Sequence, residues 1–216
     1  MQVRELSLPL ILSKGVRKMN AETKLLSGGD GAIFTNVLTK DQALPNEDNS
    51  VNQLIISCRE SKESLNTLYT MFKDSVFAVA FSITSDYHLA EDCVIETFVR
   101  LSQVKKFSEK KGDGKGFILT IARNVALELR RRHTRESSDY IIQSYGEAEK
   151  TVEDSIYINQ LLKNLNEKQR QTVILRCCAE LTFKQIAKVM KCPETTAKSR
   201  YQKAISILQE KAGEQQ

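Results

Sequence analysis

The residues best suited to a chemical task lie near the C-terminal end, and the task is holding a polyanion rather than making or breaking bonds. Thr195, Lys198, Ser199 and Gln202 carry hydroxyl, ammonium and amide groups at spacings that, on one helix, leave them outside the apolar stripe of Ala197, Tyr201, Ala204, Ile205 and Leu208. Arg200 stands at the border of that stripe. Such groups near a helix start suit both base edges and phosphates. A second set, Arg123, Asn124, Arg130, Arg131 and Arg132, follows the basic, glycine-rich stretch from Lys105 to Gly116 and offers another surface for phosphates. Bond-making chemistry has no comparable set. The chain has two histidines, no clustered carboxylates and no nucleophile paired with a base, so no catalytic residue is assigned. Its five cysteines, Cys58, Cys93, Cys177, Cys178 and Cys192, form no CxxC pair, which predicts neither a metal site nor a disulfide framework, and no cofactor. Thiols scattered through apolar helical patterns suit a reducing cytoplasm.

Charge places the two surfaces apart. The 216-residue chain carries a net +5, yet the window from Lys105 to Arg135 alone holds ten Lys/Arg against three Asp/Glu, a net +7. From Glu167 to Lys211 the count is ten against four, a net +6, whereas Thr134 to Gln160 has two against six. Two basic patches joined by an acidic connector point to two contacts with one polyanion. No run of about 18 apolar residues occurs, so no membrane insertion is expected.

The C-terminal patch sits on a predicted helix-turn-helix. Asn166 and Thr182 are each placed to cap a helix start, and each has Gln three residues on, at Gln169 and Gln185, to complete a capping box. After Thr182, Phe183, Ile186, Ala187, Val189 and Met190 recur at helical spacing, and Pro193 fits the first turn of the next helix. The connecting turn is only about three residues long.

The first 60 residues show no sustained period and contain GGDG and PNEDN, so they are expected to be a poorly ordered extension. Leu6 to Leu12 is interrupted by Pro9 and does not make a secretion signal, and Met19 is an alternative start. From Leu65 the pattern changes. Leu65, Leu68, Tyr69, Phe72, Val76, Val79, Ala80 and Ile83 form one helical stripe, and a second helix, about Tyr87 to Val104, buries Leu89, Ala90, Cys93, Val94, Phe98 and Leu101. The other side of that second helix carries Glu91, Asp92, Glu96 and Arg100. Three glycines within five residues predict a loop from Lys105 to Gly116, and a third helix follows from about Phe117 to Arg132, with Ile118, Ile121, Ala122, Val125 and Leu129 inward. The fold class is therefore all-α, with two small helical domains, residues 61–133 and 154–212, joined by a short acidic linker at 134–153.

In order, LAEDCVIETFVRLSQ, GFILTIARNVALELRRR, LNEKQRQTVILRC and LTFKQIAKVMKCPETTAKSRYQKA resemble a bacterial sigma factor of the sigma-70 superfamily, of the two-domain extracytoplasmic-function type. The resemblance covers about Leu65 to Lys211. It implies a first domain, region two, that binds the promoter's minus-ten element and the polymerase clamp, and a second, region four, that binds the minus-35 element and the polymerase flap. It further implies that Glu91, Asp92 and Glu96 dock on the clamp. The minus-ten and melting contacts would be Lys105, Lys106, Lys110, Lys111, Lys115, Phe117, Arg123, Asn124, Arg130, Arg131 and Arg132, with Lys105 to Gly116 as the loop that captures a flipped base. Thr195, Thr196, Lys198, Ser199, Arg200 and Gln202 match the recognition helix for minus-35. Departures from the pattern are Ile95 for Gln, Phe117 for Trp, Glu128 for Asp, Ala197 for Val, and Glu180 and Lys191 for glycines, so a positive φ there carries a penalty of about 1 kcal/mol each.

The expected partners are core RNA polymerase, promoter DNA and an anti-sigma factor. Two other readings use the same residues. A stand-alone helix-turn-helix regulator would pair half-sites as a dimer but leaves the first domain unexplained. A sigma mimic that sequesters an anti-sigma factor has no use for two cationic surfaces.

Overall fold

Most helix starts are fixed by the residue in front of them. The described residues of this computed structural model are 47–105, 107, 113–136 and 162–213; among them are seven helices and no strand. These are α1 Glu47–Ser57, α2 Lys62–Thr84, α3 Tyr87–Ser102, α4 Gly114–Glu136, α5 Glu167–Cys177, α6 Phe183–Met190 and α7 Glu194–Gly213. Ser61 caps α2, Asp86 caps α3 by accepting the Leu89 N–H at 2.8 Å, and α2 ends on Ser85 in the left-handed region at φ 54°. Because that turn is so short, α2 and α3 must pack antiparallel, and α4 closes the bundle against both. Leu68, Phe72, Val76, Ala90, Cys93, Leu101, Ile118, Leu119, Ala122 and Val125 fill this core. Among the described residues no helix is long and apolar enough to cross a membrane.

Two expectations are corrected. Residues 47–57 are not a loose extension but the helix α1, which buries Val51 and Ile55 against α2 and α4, with Cys58 buried just beyond its end. Its apolar positions cover less than three turns between polar neighbours, a stripe too short to stand out, so tertiary burial decides its conformation. Likewise α4 starts at Gly114, inside the stretch expected to be a loop through Gly116. Asp113 supplies the reason: its carboxylate accepts the Lys115 and Gly116 N–H groups at 3.2 Å each, and its carbonyl accepts that of Phe117 at 2.9 Å. The glycine that seemed to forbid a helix instead lets α1 approach. The Gly114 N–H donates to Asn52 Oδ1 at 2.8 Å, and a Cβ there would lie 2.7 Å from that oxygen, 2.8 Å from Ile55 Cδ1 and 2.9 Å from Val51 Cγ1. Gly114→Ala is therefore expected to destabilise the chain by about 1–3 kcal/mol, the range for overpacking a filled site. Denaturant melts of the two proteins measure it, and an unchanged midpoint would mean that α1 yields without cost.

The cysteines behave as packing groups. Burial pushes the Cys58 and Cys177 thiols up and the Cys93 thiol to about 11, so all three stay protonated at neutral pH.

Candidate nucleic-acid and polymerase interfaces

The helix-turn-helix is built from two local devices that the sequence announces. Asn166 and Gln169 exchange bonds at 2.9 and 3.1 Å to start α5, and Thr182 and Gln185 do the same at 3.3 and 2.7 Å to start α6. Glu180 and Lys191, the positions where the resemblance expects glycines, do take positive φ, 54° and 51°. The Lys191 N–H closes α6 on the carbonyls of Ala187 and Lys188. Pro193 sits one residue earlier than expected, just before α7, where its carbonyl accepts the Ala197 N–H at 3.1 Å and its missing N–H costs nothing.

On α7, Ala197, Ala204 and Leu208 are buried and Tyr201 and Ile205 half-buried, so Thr195, Lys198, Ser199 and Gln202 project to solvent. Thr196 and Arg200 are half-buried beside them. Lys198 pairs with Glu194 at 2.8 Å, one turn back. Thr195, Thr196, Ser199 and Arg200 line a groove of about 450 Å³ together with Asn166, Lys168, Gln169 and Lys203. Lys168 and Lys203 were not among the expected contacts. Lys203 lies one turn beyond Ser199 and was legible from spacing, whereas Lys168 reaches the groove only through the packing of α5 on α7. Tyr201 supports the arrangement from beneath, edge-on to Phe183 at 5.5 Å, with its hydroxyl pushed up to about 12 by burial and by Cys177.

In the first domain the acidic candidates divide. Glu91 and Asp92 are exposed on α3, Glu91 with His88 at 3.8 Å, while Glu96 accepts Arg100 Nε at 2.7 Å. Arg100 also donates to Glu128 on α4 at 2.8 Å, and Arg132 to the same carboxylate at 2.9 Å. These bonds hold the Glu128 carboxyl below its usual range, chiefly through Arg100. Glu96 thus anchors an α3–α4 bridge and Asp92 does not. Beside them Ile95 and Val99, one turn apart, are exposed at 64% and 44% of their surface, a short apolar stripe that the acidic residues alone do not reveal.

The α4 candidates, Asn124 and the arginines, point two ways. Asn124 and Arg131 are exposed, as is Arg132. Arg123 is half-buried and donates to Gln171 on α5 at 3.1 Å; Arg130 donates to the Ile83 carbonyl at 3.1 Å and pairs with Glu167 at 3.0 Å. Burial pulls the Arg123 guanidinium down from its ordinary range, and Glu167 opposes that shift. Lys105 is exposed, Lys115 is half-buried, and Phe117 packs on Phe107 with ring centres 5.1 Å apart. Lys106, Lys110 and Lys111 lie outside the described residues.

Comparison with known proteins meets this geometry domain by domain. The family model "Sigma-70 region 2" matches residues 68–136, which take in α3 and α4, and "Sigma-70, region 4" matches 155–208, which take in the helix-turn-helix. The ECF RNA polymerase sigma factor SigM of Bacillus subtilis is 27% identical over 143 residues, covering 63% of this chain and 87% of that protein. BldN, an ECF RNA polymerase sigma factor of Streptomyces coelicolor, is 26% identical over 156 residues, covering 68% of this chain and 59% of its own length. Among solved structures, the sigma factor RpoE of Bartonella quintana, in complex with the anti-sigma factor NepR, matches with 25% identity and a TM-score of 0.58 over 69% of this chain and 96% of that one. CnrH in complex with the cytosolic domain of CnrY shares the fold, at 14% identity and a TM-score of 0.60 over 77% and 99%. Two regions matched in their proper order, each on the helices that carry its expected surface, put the chain in the sigma-70 superfamily as an extracytoplasmic-function sigma factor, the subunit through which RNA polymerase recognises a promoter.

Proposed function

We propose that this sigma factor divides its work between the two surfaces just described. Region four reads the minus-35 element with the exposed face of α7, region two holds the opened minus-ten element along α4 and the stretch before it, and the outer face of α3 docks on the polymerase clamp. The observation that carries the reading is the groove beside α7, where Thr195, Ser199, Arg200 and Lys203 of that helix meet Lys168 of α5. Hydroxyl and guanidinium groups there serve base edges, and the lysines serve phosphates. The mechanism is binding energy: cations displace counterions along the backbone, and an unstacked base is trapped at a cost of a few kcal/mol of unpairing. The protein contributes contacts and leaves bond-making to the polymerase, in the cytoplasm. By similarity to RpoE, whose solved complex contains an anti-sigma factor, an inhibitory protein partner is part of the proposal.

In vitro transcription with core polymerase and a promoter library, with and without the chain, tests the whole reading; no chain-dependent transcript would remove it. For region four the expected outcomes differ by residue. Arg200→Ala and Lys198→Ala each cost about 1–3 kcal/mol if they read a base, with relaxed preference at one position. Lys168→Ala and Lys203→Ala weaken all sequences alike and lower the salt slope by about one each. Minus-35 affinity that is unchanged in all four folded variants would end the assignment of this groove.

A further inference from the structure

The outer face of α3 keeps apolar side chains in water that do nothing for the helix itself. Among the described residues the large hydrophobic side chains left exposed are Ile56, Tyr69, Met71, Ile95 and Val99, and three of these, Tyr69, Ile95 and Val99, stand along the seam of α2 and α3. Ile95 and Val99 lie one turn apart on α3, so they share a face. Tyr69 joins them from α2 through Phe98, the neighbour of Val99; the Tyr69 and Phe98 rings meet edge to face at 5.1 Å. Met71, two residues beyond Tyr69, leaves α2 on another side, and Ile56 belongs to α1. A single exposed isoleucine is ordinary on a protein surface, whereas a cluster of large apolar groups marks an interaction site.

Local stability does not explain the cluster. At a solvated helix position a β-branched side chain is a poorer helix former than Gln, because its χ1 is restricted against the preceding turn. Gln is the residue that the resemblance expects at position 95. Ile95 therefore weakens α3 slightly while being the most exposed of the large apolar side chains, at 64%. The same stiffness favours it in an interface, since a side chain already held in one rotamer loses little freedom when a partner covers it. Its surroundings have an apolar centre and a charged rim, the anatomy of a docking surface. Glu91 and Asp92 stand exposed one turn before it, Glu96 follows it, and Lys73 holds its ammonium 6.0 Å from the centre of the Tyr69 ring.

We infer that Ile95, with Val99 and Tyr69 beside it, is the apolar anchor by which this chain docks on core RNA polymerase, and that the clamp it fits presents an apolar recess opposite position 95. The inference rests on the assignment of the outer face of α3 to the clamp made above, with which the patch is continuous through Asp92 and Glu96. It makes position 95 a determinant of which polymerase the chain accepts. A recess shaped for Ile95 strands the amide of a Gln without partners, and a site built to bond that amide is left unpaired by Ile95. Docking then divides into a rim that weakens with salt and a centre that does not.

Calorimetric titration of the full-length chain into core polymerase from the same bacterium, at several salt concentrations and temperatures, separates the two parts. Ile95→Gln is expected to bind about tenfold more weakly, with a less negative heat-capacity change and the salt dependence of wild type, because no charge is altered. Ile95→Leu, still apolar, stays within about threefold of wild type. Asp92→Asn does the reverse of Ile95→Gln, flattening the salt dependence and leaving the heat-capacity change nearly as it was. Val99→Thr, which exchanges a methyl for a hydroxyl at the same shape, repeats the apolar measurement at a second position and serves alone should Ile95→Gln not fold. An Ile95→Gln chain that binds like wild type, or that loses affinity with an unchanged heat-capacity change, would overturn the anchor. Asp92→Arg tells this failure from failure of the clamp assignment: if it too binds core normally, the assignment is gone, whereas its loss beside a normal Ile95→Gln removes the anchor alone. Light scattering of the free chain covers the other occupant, for a wild-type dimer that Ile95→Gln dissociates would give the patch to a second copy of this chain and overturn the inference.

Discussion

Core RNA polymerase captured on resin is expected to retain the wild-type chain and to lose the Asp92→Arg chain, with affinity reduced by about a hundredfold, or about 2.7 kcal/mol. The clamp assignment makes the partner surface complementary to an acidic face, so a cation at its centre replaces attraction by like-charge repulsion, which costs several kcal/mol at an interface. Asp92 is the right residue because it is exposed and no hydrogen bond or ion pair from another described residue holds it, so the reversal leaves the bundle intact. Glu96→Arg is a poorer probe. It would repel Arg100 and break the bridge to Glu128, so a loss of binding could report a loosened α3–α4 contact instead. The companion variant is Glu96→Gln, which keeps an acceptor for Arg100 and is expected to cost much less. Ile95 and Val99, exposed beside Asp92, offer apolar surface to the same partner. If Asp92→Arg were retained like wild type, with an unchanged melting curve, the acidic face would be a solvated surface only.

What could be read from the chain alone follows the range of the forces involved. The capping boxes at Asn166–Gln169 and Thr182–Gln185 are contacts within four residues, and both appear as the residue types dictate. The left-handed turns at Glu180 and Lys191 were legible for a different reason: the resemblance marks both as glycine positions, and the backbone keeps the glycine conformation without the glycine. Ser85, with a φ of 54° and no such marker, was not foreseen. The helix α1 is not marked in the sequence because Val51 and Ile55 make too short a stripe, and what they pack on, α2 and the close approach at Gly114 of α4, comes from elsewhere in the chain. The division of the polar candidates on α4 was hidden more deeply. Helical periodicity separates Arg123 and Arg130 from Asn124 and Arg131, but it does not say that a second domain will cover the first pair.

A template whose minus-ten segment is already unpaired is expected to bind holoenzyme containing this chain at least tenfold more tightly than the same sequence as closed duplex. A regulator that reads only duplex would show little difference, so the ratio separates the two mechanisms. A flipped base offers polar edges and a stacking face that the duplex hides, and a pre-opened segment spares the protein an unpairing cost of a few kcal/mol. The stretch assigned to capture that base is now bounded by structure on one side. Asp113 and Gly114 belong to the start of α4, where one is the cap and the other admits α1, so exchanging them would disturb folding before it altered recognition. Phe107 rests on Phe117 and is also best left in place. The informative exchange is therefore residues 108–112 alone, replaced by those of a related sigma factor. It should shift the preferred base at one minus-ten position while leaving the melting temperature of the protein and its affinity for core polymerase unchanged. A fluorescent base analogue placed across the minus-ten element reports opening directly. An exchange that altered neither the opening signal nor the base preference would reduce this stretch to a connector, and capture would then fall to the exposed Asn124, Arg131 and Arg132 along α4.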